Sequence, residues 1–389
     1  MNNIKKNINN DYLYKFLSAF DITSAIWVLY LGYKGMSLVQ IGLLEGIFHI
    51  TGFISEIPTG ALADLFGRKR MIIIGRITSL ISAIIMLFSN SFLGFAIGFI
   101  LSAWGYNLNS GSEEALVYDT LKTLNREDEY LKINGRINLI IEISQGLAVF
   151  IGGVLSQIDF SISYITAIII GIFSLIISFN FTEVSIRGKH EEKITIISHF
   201  KTSINILKNN KILLNILMFF PLIYTFSAII YFYGQQFLND VGYSRLDISI
   251  IFLFNGVLSS LGSILSNRIY NRFKKLGWLT ISTVISILII LMGYLSKELS
   301  ILIFLSIGFL TAILQPISSK LINSMVESKQ RATIISVESM FFSLMMIILF
   351  PISGLIGDVF SLDFSFKVIG VIGMLIAIIE IVIIKKKII

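Results

Sequence analysis

Gly60-Ala-Leu62-Ala-Asp64-Leu-Phe-Gly67-Arg68-Lys69-Arg70 lies between two long apolar runs, 37–58 and 71–89. Each run is long enough to cross a bilayer as a helix, which needs about 20 apolar residues. The short basic stretch between them therefore reads as a tight turn at one membrane face. Gly60 and Gly67 allow close helix approach and a sharp reversal. Asp64 can accept hydrogen bonds from the N-terminus of a neighbouring helix, where its charge is favourable. Arg68 and Lys69 can hold that end of the helix pair in anionic headgroups.

Working outward, the same alternation of apolar runs and short polar breaks covers the chain. The first half holds apolar runs at 12–32, 37–58, 71–89, 92–118, 134–156 and 161–181. The second half holds them at 212–237, 244–266, 278–295, 299–318, 334–357 and 364–384. Composition agrees with twelve spans. The chain has 389 residues, 55% hydrophobic and only 14% charged, and a mean hydropathy of +0.83. Soluble domains carry about 25% charged residues. Lipid-facing helices need apolar outer faces as well as packed ones.

Lys and Arg fix the expected orientation. With both termini in the cytoplasm, only Lys34, Arg245, Lys297 and Lys367 of the 31 basic residues fall in outer loops. One missed span would scramble that asymmetry. Arg76 and Arg136 sit just inside spans and are expected to snorkel to the interface. The net charge of +7 thus reads as membrane topology, with no nucleic-acid partner. The expected location is a cytoplasmic membrane, and the heavy use of Ile, Asn and Lys points to a bacterium. Met1–Asp11 leads into a first span and not a cleaved signal peptide, because Asp21 interrupts the apolar run.

The expected architecture is an all-α integral membrane protein of two pseudo-symmetric six-helix bundles, 1–181 and 212–389. A cytoplasmic linker, 182–211, joins them. In the linker Ile197, Phe200, Ile204 and Leu207 recur at helical spacing among Lys201, Lys208 and Lys211, as in an amphipathic surface helix. The halves echo each other. Arg136 and Glu142 open span five, and Arg331 and Glu338 open span eleven. Phe150-Ile-Gly-Gly and Phe350-Pro-Ile-Ser-Gly follow in the same spans.

The turn at 60–70 resembles the signature loop of the major facilitator superfamily: Gly60, Leu62 and Asp64, then Gly67, Arg68 and Lys69. Glu56-Ile-Pro58-Thr59 ahead of it is similar to a bacterial drug-efflux-like subgroup. The resemblance implies twelve helices working by alternating access. It also implies a latching role for the loop, with an acidic partner at the inner end of span four, where Asp119 fits. A degraded second copy is expected between spans eight and nine; Ser263-Ile-Leu265-Ser-Asn267 with Arg268 and Arg272 matches it. Two departures count against a drug–proton antiporter. Ala148-Val149 stands where Gly-Pro aligns in span five, and Asn107 where an Arg aligns in span four.

Ionisable residues inside spans are costly and usually functional. Asp21, Glu45, Glu114 and Glu142 form the expected first-half set for proton coupling, with Asp21 ranked first. Glu45, His49 and Glu56 share one stripe of span two, and Asn107, Gly111, Glu114 and Tyr118 share a face of span four. The second half is nearly free of charge. Tyr224, Tyr231 and Gln235 after Pro221, with Asn255 and Ser259, suit an amphiphilic substrate, as Asn107 does in the first half. Packing is the competing role for each of these residues.

The chain has no cysteine and three scattered histidines, so no metal site is expected. No Walker loop and no nucleophile–base arrangement occurs, so an enzyme or ATP-driven pump is not expected, and no cofactor is. The leading expectation is a monomeric proton-coupled exporter of lipophilic small molecules, cations included. The alternatives are a proton symporter importing a nutrient or metabolite, and a non-transporting receptor or immunity protein of the same fold.

Overall fold

The computed structural model describes residues 2–184, 210–294, 297–326 and 331–388. The side chains of Asn2, Asn3, Ile57, Ala61, Asp64, Lys297, Ala332, Thr333, 273–276 and 383–388 lie outside that description. So does nearly all of the linker helix expected within 182–211.

Among the described residues the regular structure is helical, in the order α1 (Asn2–Ser18), α2 (Trp27–Tyr33), α3 (Leu38–Phe66), α4 (Arg68–Phe88), α5 (Phe92–Thr123) and α6 (Tyr130–Ile158). There follow α7 (Phe160–Ser178), α8 (Lys211–Asp240), α9 (Arg245–Met292), α10 (Lys297–Ser324), α11 (Arg331–Val359) and α12 (Leu362–Ile388). Among the described residues, nine helices are long and apolar enough to cross a membrane. The shorter apolar stretch Gly277–Met292, α5 and the α1–α2 pair fill the remaining positions of a twelve-helix protein. Exposed Ile165, Ile169, Ile172, Phe173 and Ile176 on α7 are an apolar outer face, which only lipid satisfies without cost. All four prolines of the chain lie inside helices, a placement that neighbouring membrane helices tolerate.

Local chemistry sets the helix ends. Ser91 caps α5 by accepting from Gly94 N–H at 3.3 Å. Asp159 caps α7 by accepting from Ser161 N–H at 2.6 Å. Ser244 and Asp247 form a reciprocal capping box at the start of α9, the arrangement that satisfies two orphan helix donors at once.

The chain groups into two compact units. One comprises Met1–Tyr30 and Ile47–Lys193, the other Leu31–Gly46 and Ile194–Ile389. In the second unit Tyr233 on α8 donates to Leu38 O at 2.7 Å and lies 3.2 Å from Phe350 O. The Asp358 carboxylate accepts from Leu38 N–H and Val39 N–H at 2.9 and 2.8 Å. The start of α3 is thus held by a phenol and a carboxylate, the latter where a helix N-terminus favours negative charge.

Three sequence expectations change. Span one is not a continuous helix: residues 19–26 are non-helical between α1 and α2. The turn expected between spans eight and nine is helical, because α9 runs from Arg245 to Met292 and includes Asn267, Arg268 and Arg272. Arg76, expected to reach the interface, is paired with the buried Glu113 carboxylate, 3.4 Å from its Oε1.

The break in span one explains a glycine. A Cβ on Gly152 of α6 would collide with the Ile22 carbonyl oxygen. Nearer the N-terminus of α6, the Ser144 hydroxyl donates to Phe16 O, a carbonyl at the end of α1 that the break deprives of helical continuity. Gly135, on the same helix, faces open space. Gly152→Val is therefore expected to lower the melting temperature of the detergent-purified protein, at a cost of about 1–3 kcal/mol or more for overpacking. Gly135→Ala should leave it unchanged or slightly raised, since Ala gains about 0.5–1 kcal/mol over Gly in a helix. A thermal-ramp fluorescence measurement on both checks this; equal melting temperatures would contradict the packing of the break on Gly152.

Candidate functional site

The densest polar chemistry in the first unit lies where α1, α4 and α5 meet. Glu113 on α5 is 6% exposed. Its Oε2 pairs with Lys15 Nζ of α1. Its Oε1 accepts from the Tyr14 hydroxyl at 2.6 Å and from Arg76 Nη2 of α4 at 3.4 Å. The Arg76 guanidinium also lies 5.4 Å from the centroid of the Tyr14 ring, within cation–π range. One carboxylate thus joins three helices through two cations and a phenol. Tyr14 is itself anchored in an apolar cluster with Ile72, Leu116, Phe181 and Val184.

Around this core the bonding is incomplete. Among the described residues, Asp11 Oδ2, Arg76 Nε and both amide atoms of Asn109 are buried with no hydrogen-bond partner. Asp11 precedes Lys15 by one turn of α1. Asn109 precedes Glu113 by one turn of α5 and packs against Gly75, beside Arg76. Each such orphan atom costs about 1–3 kcal/mol, so a group of them in one place marks a site that is not built for stability alone.

The expected coupling carboxylates are placed differently. Asp21 is exposed, in the non-helical stretch. Its Oδ1 accepts from Thr23 N–H at 2.9 Å and from the Thr23 hydroxyl at 2.7 Å, and its carbonyl accepts from the Ser24 hydroxyl at 2.9 Å. It is thus part of the local turn that precedes α2. Glu114 and Glu142 are exposed and Glu45 is half-buried. Glu45 falls with the second unit, the other three with the first.

In the signature loop, α3 continues to Phe66, so only Gly67 makes the turn, with φ +93°. Gly60 lies within the helix, and among the described residues a Cβ on it would meet nothing within 4 Å. Leu62 packs against Ala63, Met71 and Leu108. The acceptor at the start of α4 is Glu183, which follows α7. Its two carboxylate oxygens accept from Arg68 N–H and Lys69 N–H at 3.0 and 2.9 Å. Asp119, near the C-terminal end of α5, is half-buried, and burial pushes its carboxyl up while the Arg68 charge lowers it. The Asp64 side chain lies outside the described residues.

The expected substrate residues are largely engaged in packing. Asn107 donates to Gly52 O at 2.6 Å and to Ser55 Oγ at 2.8 Å, tying α5 to α3. Tyr224 donates to Ser318 at 2.7 Å. Tyr231 packs 4.7 Å from Phe252 and 6.4 Å from Phe304, between ring centroids. Gln235 is fully buried. Asn255 is buried against Gly308 with its Oδ1 unpartnered among the described residues, and Ser259 is half-buried.

Sequence reading missed Asp11, Tyr14, Lys15, Arg76, Asn109 and Glu113 as a group. The available signal was spacing: Asp11 and Lys15, and Asn109 and Glu113, each stand four residues apart on one helix face.

The sequence profile of the Major Facilitator Superfamily matches residues 12–297 and, in a second match, 237–387. The uncharacterized MFS-type transporter YxaM of Bacillus subtilis (strain 168) is 25% identical over 364 residues, spanning 91% of this chain and 89% of that protein. The crystal structure of the nucleoside transporter NupG superposes with a TM-score of 0.81 at 14% identity, over 99% of this chain and 100% of that one. A D-xylose-proton symporter superposes with a TM-score of 0.68 at 14% identity, over 96% and 95%. At these identities the solved structures show a shared fold. With the family profile covering nearly its whole length, the chain belongs to the major facilitator superfamily.

Proposed function

We propose that this chain is a proton-coupled transporter that exports amphiphilic small molecules by alternating access, with the Glu113 cluster as the place where the proton acts. The observation that carries the reading is the single buried carboxylate shared by Lys15, Tyr14 and Arg76 across three helices. When Glu113 takes a proton, two partly buried cations lose their counter-charge. Breaking a buried pair in this way costs about 3–5 kcal/mol, enough to shift the balance between two arrangements of the helices. Asp11, one turn from Lys15 with an unpartnered oxygen, is an alternative partner for the lysine. A proton moving between the two carboxyls therefore becomes a change in which helices are tied.

The substrate class follows from the second unit. Its spans carry few charges and many aromatic side chains, Tyr224 and Tyr231 among them, which suit a partly apolar solute. The D-xylose-proton symporter has the same fold, which supports proton coupling on this scaffold. One observation favours a second reading. Lys15 and Arg76 are partly buried cations, the groups that import of an anionic nutrient requires.

The test is a pH-sensitive dye in acid-loaded inside-out vesicles, with ethidium and other lipophilic cations as substrates. Proton release on adding a substrate is expected for the parent. Glu113→Gln should reduce it more than about tenfold, as loss of a few kcal/mol implies. Asp21→Asn keeps the oxygen that accepts from Thr23 and should retain most of the response. Loss of release in Asp21→Asn with full release in Glu113→Gln would move the coupling carboxylate to the helix break. Uptake of protons with an added organic anion, and none with cations, would establish the import reading instead.

A further inference from the structure

A second polar site lies apart from the Glu113 cluster, at the end of the first unit that carries the chain's N-terminus. A cavity of about 330 Å³ opens between the start of α1, the 3-10 turn Glu127–Glu129 and the start of α6. That volume falls at the lower end of small-molecule sites, about 300–1,000 Å³. Lys5, Arg126, Lys132 and Arg136 line it, against one acid, Glu129.

The bonding within the cavity leaves most of this charge uncommitted. Arg126 engages Glu129 at two points, with Nε and Nη2 each 2.7 Å from a carboxylate oxygen. The one acid of the lining is thereby held by one cation, and three further cations share the same rim. The floor is different in kind: Ile8 and Ile133 are buried members of an apolar cluster with Val117, Leu121 and Ile137. The cavity therefore combines a cationic rim with an apolar base built into the bundle. Like charges gathered on one rim repel each other, and a ligand carrying concentrated negative charge relieves that cost.

We propose that this cavity binds a phosphate group, and that its source is the headgroup of an anionic glycerophospholipid. Phosphate oxygens suit the forked donors of Arg126 and Arg136 and the point charges of Lys5 and Lys132. Basic pockets at the headgroup level of membrane helices bind such lipids. The apolar floor fits the glycerol and upper acyl region next to the phosphate, which a free phosphate ion lacks. Because α1 and α6 both supply cations, the bound lipid ties the ends of these two helices together. The inference does not depend on the transported substrate or on proton coupling.

The test uses the full-length protein in mild detergent, titrated with phosphatidylglycerol or phosphatidylcholine and read by native mass spectrometry. Inorganic phosphate serves as the soluble competitor. The parent should retain phosphatidylglycerol over phosphatidylcholine by about tenfold or more, given roughly a fivefold gain per basic residue. The Lys132→Ala/Arg136→Ala double variant should lose most of that preference. Lys320→Ala, which removes a cation in the second unit, should keep it. Equal retention of the two lipids, or a preference unchanged in the double variant, overturns the proposal. Displacement of phosphatidylglycerol by millimolar phosphate keeps the phosphate site and assigns it to the free ion instead.

Discussion

The Glu113 carboxylate is the constraint on which the first unit turns. Lys15, Tyr14 and Arg76 reach it from two other helices, and none of the three charged groups is tolerable in a membrane-buried position alone. Their helices must therefore assemble together. That assembly fixes the depth and rotation of α1, α4 and α5 more strictly than apolar packing can, because an apolar face slides at little cost in a lipid environment. The same feature that specifies the fold also makes it switchable. An ionic contact is the one kind of packing interaction that a single proton abolishes.

Two neighbouring devices follow the same logic of satisfying backbone groups where water is absent. The break at residues 19–26 frees main-chain groups, and some of these are met by Ser144 and by the Asp21–Thr23–Ser24 turn, while Gly152 leaves room for the Ile22 carbonyl. The helix starts at Leu38 and Arg68 are each met by a distant carboxylate, Asp358 and Glu183. Some acidic residues thus cap backbone and others pair with cations. Asp21 and Glu183 belong to the first kind and Glu113 to the second.

Much of the fold was legible because lipid imposes a simple rule. Runs of apolar residues must be helices, and the basic residues between them must gather on one side. The signature loop was legible because Gly67 is needed at positive φ and the donors of Arg68 and Lys69 need an acid. Its acceptor was not: Glu183 stands more than a hundred residues away, and no local pattern marks it. The preference for Glu114 over Glu113 arises for a related reason. Both belong to stripes of polar residues on α5, Asn107–Gly111–Glu114–Tyr118 and Asn109–Glu113. Helical periodicity shows that such stripes exist, and only the neighbours decide which is buried. The cations that meet Glu113 come from Lys15, in the first span, and Arg76, which its sequence position places at an interface. The break at Asp21 was hidden because isolated polar residues such as Asp21, Thr23 and Ser24 also occur inside unbroken spans, where they read as functional.

The most direct measurement of the central contact is a double-mutant cycle on thermal stability, with Lys15→Met, Glu113→Gln and the two combined, in purified protein. If the pair holds α1 to α5, each single change removes one side of the Lys15–Glu113 contact, and the double variant is less destabilised than the sum of the singles by about 1–3 kcal/mol. Strict additivity would contradict the account, because it would mean that Lys15 and Glu113 are stabilised separately and that no shared ionic contact fixes the three helices.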